Sequence, residues 1–222
     1  MPKVILAQYR SGGSYLSQAL SNGAPILTEP GLPDDGFLNT LTENVKIFLN
    51  VVEQIKAHGV TKLSNFKNFV GMFEDRHEKI PPDVQLIFLY RHPYTQIASV
   101  LFKFHEWDDN WADRRHFWEA IAAYREHFQL CESIKSKVPG CLTIRYEDAI
   151  GDGLPSVLAQ VYGDAAANYL DYALAIQNQN FPLGPRTDGT EWEPSTYELK
   201  PKEKYWVAQN LGDVMEALDY GR

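Results

Sequence analysis

Arg10-Ser11-Gly12-Gly13-Ser14 is the segment of this chain best suited to chemistry. The apolar run Val4-Ile5-Leu6-Ala7 precedes it, and a helical stretch through Tyr15 and Leu16 follows. A strand that ends in a glycine turn and opens a helix aims unpaired backbone N–H groups at one point, and glycine lets the backbone approach closely. With Arg10 beside it, such a loop is an anion cradle. A second basic position, Arg91, ends the apolar run at 84–90 and stands eight residues before Ser99. A guanidinium at a strand end can fork onto an anionic group. Glu29 closes a further apolar run in Thr28-Glu29-Pro30, nineteen residues after Arg10.

The loop is not that of a nucleoside triphosphatase. That loop reads G-x-x-x-x-G-K-[ST], and its lysine and hydroxyl hold the phosphates and Mg²⁺. Here no Gly-Lys pair exists and the basic residue precedes the glycines. The chain has 222 residues, 44% hydrophobic and 23% charged, which suits a single globular domain over 1–222. A formal charge of −8 argues against nucleic acid as partner and requires any anionic ligand to be held locally. Cys131 and Cys141 form no CxxC pair, so a reducing, cytoplasmic setting is expected. No apolar stretch has membrane-spanning length, and residues 4–7 are too short for a secretory leader. His92, His105, His116 and His127 show no metal-ligand spacing, so packing or solvent roles are expected and no metal is implied.

The elements that must position these residues alternate. Strands are predicted at 4–8, 24–28, 84–90 and 141–145, and helices at 14–21, 39–58, 93–105, 114–137, 154–162, 165–177 and 202–218. Val45, Phe48, Leu49, Val52 and Ile55 share one stripe of the second helix, which Gly59 ends. Pro93 is at a first-turn position. Residues 29–36 and 178–201 are rich in turn formers and irregular. This pattern implies an α/β fold: one mostly parallel sheet of about four to five strands with helices on both faces. An aromatic stretch with Phe102, Phe104, Trp107, Trp111, Phe117, Trp118 and Tyr124 reads as core, with the part at 104–111 a candidate acceptor wall or lid.

Three separated stretches match one family in order and spacing. Tyr9-Arg10-Ser11-Gly12-Gly13-Ser14-Tyr15-Leu16 resembles the 5′-phosphosulfate loop of sulfotransferases, usually Pro-Lys/Arg-Ser-Gly-Thr-Thr-Trp-Leu. Leu89-Tyr90-Arg91-His92-Pro93 through Ser99 is similar to their 3′-phosphate motif, and Ile144-Arg145-Tyr146-Glu147-Asp148 to their late Tyr-Glu-Asp segment. Gly13 stands for the commoner threonine and Tyr15 for tryptophan.

The resemblance implies a P-loop-like sulfotransferase architecture and 3′-phosphoadenosine 5′-phosphosulfate (PAPS) as donor, leaving adenosine 3′,5′-bisphosphate (PAP) without any metal. It places Arg10 against the 5′-phosphosulfate, with the segment from Ser11 through Gly12, Gly13 and Ser14 to Tyr15 lining that group. Arg91 and Ser99 fall at the 3′-phosphate, Tyr146 near the adenine, and Arg186 on a C-terminal loop that closes over the donor. Arg10 and Ser14 also stabilise the transferring group, and Glu29 is the base toward a hydroxyl or amine of a small-molecule or carbohydrate acceptor. His77 is the second candidate base, and Lys62 or Lys67 could assist the leaving oxygen. Glu147 and Asp148 read as helix-start or salt-bridge residues. Two alternatives stay open: a P-loop small-molecule kinase, and a catalytically silent nucleotide-binding module.

Overall fold

In the first strand, β1 (Lys3–Ala7), every residue is buried, as expected of a strand covered on both faces. The computed structural model describes residues 1–8, 10–28, 41–63, 76–105, 114–180 and 198–221. After β1 come α1 (Gly13–Ser21), β2 (Ile26–Thr28), α2 (Leu41–Ala57), β3 (Val60–Leu63), β4 (Gln85–Tyr90), α3 (Pro93–His105) and α4 (Arg114–Lys137). The chain continues through β5 (Leu142–Arg145), α5 (Leu154–Tyr162), α6 (Ala167–Asn180) and α7 (Pro201–Ala217). The strand order is β2-β3-β1-β4-β5, and all four ladders are parallel. These elements make one α/β domain of the expected class.

Alternation along the central strands sorts the core into two layers. Val4 and Leu6 of β1 with Leu86, Phe88 and Tyr90 of β4 face α2, α3, α4 and α7. Ile5, Ala7, Ile87 and Leu89 face α1, α5 and α6. Helix α1 therefore leaves β1 toward one face, whereas α3 leaves β4 toward the other. Two adjacent parallel strands whose following helices diverge leave a crevice at their carboxyl ends, the usual ligand position in open α/β sheets.

One strand was not anticipated from the sequence. In β3, Val60-Thr61-Lys62-Leu63 offers no continuous apolar run, so no strand pattern stands out. Its pairing is fixed by β1, through the register Lys3↔Val60 to Leu6↔Leu63, and the Lys3 N–H donates to Gly59 O at 3.0 Å. The predicted strand at 24–28 contracts to β2, and α6 starts at Ala167 and runs on to Asn180. Both shifts lie at element ends, where turn residues such as Gly23 and Gly163, each at positive φ, set the boundary.

Candidate functional site

The loop after β1 is wound tightly by its own groups. The Ser11 N–H donates to Gln8 O at 3.1 Å, and the Ser11 hydroxyl donates to the same oxygen at 2.6 Å. Both Ser11 donors are thus engaged, and this residue shapes the turn. Arg10 sits at φ 66 and Gly12 at φ 91, the left-handed region. A Cβ on Gly12 would overlap ring carbons Cδ2 and Cε2 of Tyr146, and one on Gly13 would lie 2.8 Å from the Ala7 Cβ. The two glycines are required by these approaches. The first bond of α1 runs from Leu16 N–H to Gly12 O at 3.0 Å. Among the described residues, the N–H groups of Gly12, Gly13 and Ser14 have no partner, Gly12 caps the helix with no side chain, and the first turn holds no acid. This helix start carries unneutralised partial positive charge.

The Arg91 motif meets that loop. Arg91 Nη1 donates to Arg10 O at 3.3 Å, and Arg10 Nε donates to Ser99 Oγ at 3.1 Å across the crevice. Gln96 Nε2, from the same helix as Ser99, donates to Gln8 Oε1. The Arg91 Nε is shielded from solvent and has no hydrogen-bond partner among the described residues. Its guanidinium carbon lies 5.0 Å from the centre of the Tyr146 ring, the ring that covers Gly12. Tyr15 meets the same ring edge-on, with centroids 6.2 Å apart, and its hydroxyl donates to Ala149 O at 2.8 Å. From β3, Lys62 Nζ donates to Ser14 Oγ at 3.2 Å. Loop, Arg91, Ser99, Tyr146 and Lys62 therefore share one crevice at the carboxyl ends of β3, β1 and β4.

The corner that carries Arg91 is held from several sides. The Tyr124 hydroxyl donates to Arg91 O at 2.7 Å, and the His92 N–H donates to Glu147 Oε1 at 2.9 Å. The second oxygen of Glu147 accepts the Tyr220 hydroxyl at 2.9 Å. Arg145 grips Asp148 with two bonds, Nε to Oδ2 at 2.7 Å and Nη2 to Oδ1 at 2.9 Å, and reaches Asp219 O at 2.8 Å. Both acids of the Tyr146–Ala149 turn thus have partners other than Arg91.

Burial lowers the His92 pKa against the opposing pull of Glu147, so its Nδ1 stays free to accept the Tyr94 N–H at 3.2 Å. Burial raises the Tyr146 pKa despite the nearby Arg91 charge, and pushes Tyr15 up to about 12, with the Tyr146 charge adding to the rise. Both phenols stay neutral at ordinary pH.

Of the residues singled out in the sequence, Tyr9, Glu29, Lys67, Arg186, Trp107 and Trp111 lie outside the described residues. The end of β2 at Thr28 is paired with Lys62, so the residue before Glu29 lies on the same sheet edge as Lys62. His77 lies on a single turn (His77–Lys79) that leads into the amino end of β4 and faces Glu78 at 3.7 Å. Tyr124, Gln96 and Tyr220 were not anticipated as site residues, because each acts on a partner dozens of residues away and no local pattern marks it. Among the described residues no group of three or more His, Cys, Asp or Glu could hold a metal ion.

No family model matches the sequence, and no curated protein matches it. Solved structures do. The chain is similar to a sulfotransferase domain from the curacin biosynthetic pathway, with 17% identity and a TM-score of 0.51 over 95% of this chain and 96% of that one. It is similar to the sulfotransferase domain of a Synechococcus olefin synthase, at 18% identity and a TM-score of 0.52, covering 95% and 94%. A sulfotransferase from Alicyclobacillus acidocaldarius aligns at 16% identity and a TM-score of 0.53, covering 100% and 96%. The chain has the P-loop-like fold of sulfotransferases across its length.

Proposed function

We propose that this chain is a sulfotransferase that moves a sulfuryl group from PAPS to a hydroxyl or amine of a small-molecule or carbohydrate acceptor. The observation that carries the reading is the junction of two basic loops far apart in sequence. Arg91 reaches the Arg10 carbonyl, beside a helix start whose amides are unengaged among the described residues and a buried guanidinium nitrogen that lacks a partner among them. Such a crevice suits a nucleotide with anionic groups at two ends. The missing Gly-Lys-[ST] leaves no Mg²⁺-triphosphate seat and speaks against the kinase alternative.

In this reading the Gly12, Gly13 and Ser14 amides, with Lys62 and the Ser14 hydroxyl, receive the 5′-phosphosulfate. Arg91 and Ser99 hold the 3′-phosphate, and Tyr146 lies beside the adenosine. Arg186 belongs to a segment that closes over the donor. Glu29 takes the acceptor proton as the acceptor oxygen or nitrogen bonds to sulfur and the bond from sulfur to the 5′-phosphate oxygen breaks. Charge gathers on that leaving oxygen, where the helix-start amides and Lys62 stabilise it without reorganising. Positioning and fixed dipoles supply most of the acceleration, and the base contributes about 10²–10⁴-fold.

Calorimetric titration with PAP, set against ATP with Mg²⁺, tests the donor. PAP should bind and Mg²⁺-ATP should not. Arg91→Ala should weaken PAP first, whereas Glu29→Gln should leave PAP affinity intact and cut turnover of PAPS about 10²-fold or more. Tight PAP binding with no turnover on any acceptor would mark a silent module, and unchanged PAP affinity in Arg91→Ala would refute the 3′-phosphate seat.

A further inference from the structure

Helix α3 opens on a histidine whose ring caps it. The Tyr94 N–H, one of the first amides of α3, donates to His92 Nδ1 at 3.2 Å, so the imidazole fills the role of a capping side chain. The His92 carbonyl closes the same turn, accepting the Gln96 N–H at 3.0 Å and the Thr95 hydroxyl at 2.9 Å. The ring packs between Tyr94 and Tyr220, with centroids 4.9 and 5.0 Å away. Arg91 immediately precedes this cap, and Ser99 stands in the second turn of the helix that it starts.

Such a cap works only with a neutral imidazole. Protonated, Nδ1 donates and no longer accepts, and a positive charge then stands at the positive end of the α3 dipole, one residue from Arg91. Burial holds the ring neutral by lowering its pKa, against the upward pull of Glu147, whose two oxygens take the His92 N–H and the Tyr220 hydroxyl. On the other elements packed here, burial raises the Tyr124 and Tyr220 phenols, which stay neutral. Arg145 lies 5.7 Å from the centre of the Tyr220 ring and is paired with Asp148 and Asp219. We infer that His92 is a positioning residue that holds the start of α3, and with it the spacing from Arg91 to Ser99, in the donor-binding form only while its ring is neutral. The inference rests on the donor reading above. Its coupling is reciprocal: a donor that needs the capped helix binds the protonated chain less well, and bound donor lowers the proton affinity of His92 by the same factor.

Calorimetric titration of PAP into the full chain from pH 8 to pH 5, with His92→Asn and His92→Ala alongside, tests this. Asparagine caps a helix without titrating, whereas alanine does neither. At pH 8 His92→Asn should bind PAP within about twofold of wild type, and His92→Ala about five- to tenfold more weakly, the loss of one cap. Toward pH 5 the wild-type chain should weaken about five- to tenfold relative to His92→Asn, a ratio from which the titration of PAP itself cancels. An NMR titration of the His92 ring in the wild-type chain needs no variant. Saturating PAP should lower its proton affinity by the same about five- to tenfold. Equal weakening in the Asn and Ala variants at pH 8 would reduce the ring to packing between two tyrosines. A constant ratio across pH, or a ring titration indifferent to PAP, would sever the coupling. Each of these results overturns the inference and leaves the donor reading intact. A wild-type chain that binds no PAP at pH 8 overturns the donor reading, and the inference with it.

Discussion

Gly12→Ala is the sharpest test of how the three sequence motifs are joined. The substitution acts twice. At φ 91 an alanine is strained by ~1–2 kcal/mol. Its Cβ would also overlap the Tyr146 ring, with even the more distant Cγ at 3.2 Å, so the ring must move out. A displaced ring loses its edge contact with Tyr15, about 0.5–1.5 kcal/mol, and its place under the Arg91 guanidinium, ~0.5–1 kcal/mol. Together these destabilise the fold by roughly 2–4.5 kcal/mol, or about 4–18 °C in Tm at this chain length. Urea unfolding of Gly12→Ala, Tyr146→Ala and the double variant separates the parts. In the Tyr146→Ala background the glycine substitution should cost only the backbone strain, leaving a coupling of about 1–2.5 kcal/mol. An equal cost in both backgrounds would show that Tyr146 does not lie over the loop, and the convergence of the motifs would fail with it.

Other outcomes follow from the corner that carries Arg91. His127 is fully buried, its Nε2 3.3 Å from Leu89 O, and burial lowers its pKa to about 3. The unfolded chain binds that proton near pH 6.5 and the native one does not, so stability falls as pH falls through the window from 6.5 to 3. Between pH 6.5 and 5 the loss is about 2 kcal/mol, and His127→Gln should flatten that part of a urea-unfolding series. Tyr220→Phe removes the donor to Glu147 and should cost ~1–3 kcal/mol in the same assay. PAP affinity should fall with it, because Glu147 also holds the His92 N–H next to Arg91. Arg145→Met releases Asp148 beside the Arg91 corner and should weaken PAP in calorimetry, and adding Asp148→Asn should restore part of the loss.

Residue chemistry explains what was legible in the sequence. Gly12 and Gly13 stood out because a left-handed turn and a close helix-to-strand approach exclude other residues, and both requirements are local. The spacing from Arg91 to Ser99 was legible because a strand end and the second turn of a helix fix it. β3 was not, since Thr61 and Lys62 break its apolar pattern, and only pairing with β1 and β2 makes it a strand. Glu147 read as a helix-start or salt-bridge acid. It in fact accepts a backbone N–H and a phenol, from residues 55 and 73 positions away. Arg10 shows the limit most clearly: its position in the loop was plain, but the direction of its side chain follows from φ 66 and from Ser99, 89 residues on.

Under the proposed reading a chain of net charge −8 must keep an anion seat positive. Long-range charge is screened over about 8–10 Å in physiological salt, so the nearest groups decide the local potential. The turn that brings Tyr146 against Arg91 also brings Glu147 and Asp148, two carboxylates that could close on the guanidinium. Each is occupied instead. Arg145 takes Asp148 through a paired fork, and the His92 N–H and the Tyr220 hydroxyl take both oxygens of Glu147. Arg145 is itself anchored by Asp219, one residue before Tyr220, so the end of the chain after α7 braces both acids at once. Among the described residues the Arg91 Nε has no partner, because the two nearby acids are engaged by others, and under the proposed reading the crevice's preference for a dianion depends on that diversion as much as on Arg91 itself.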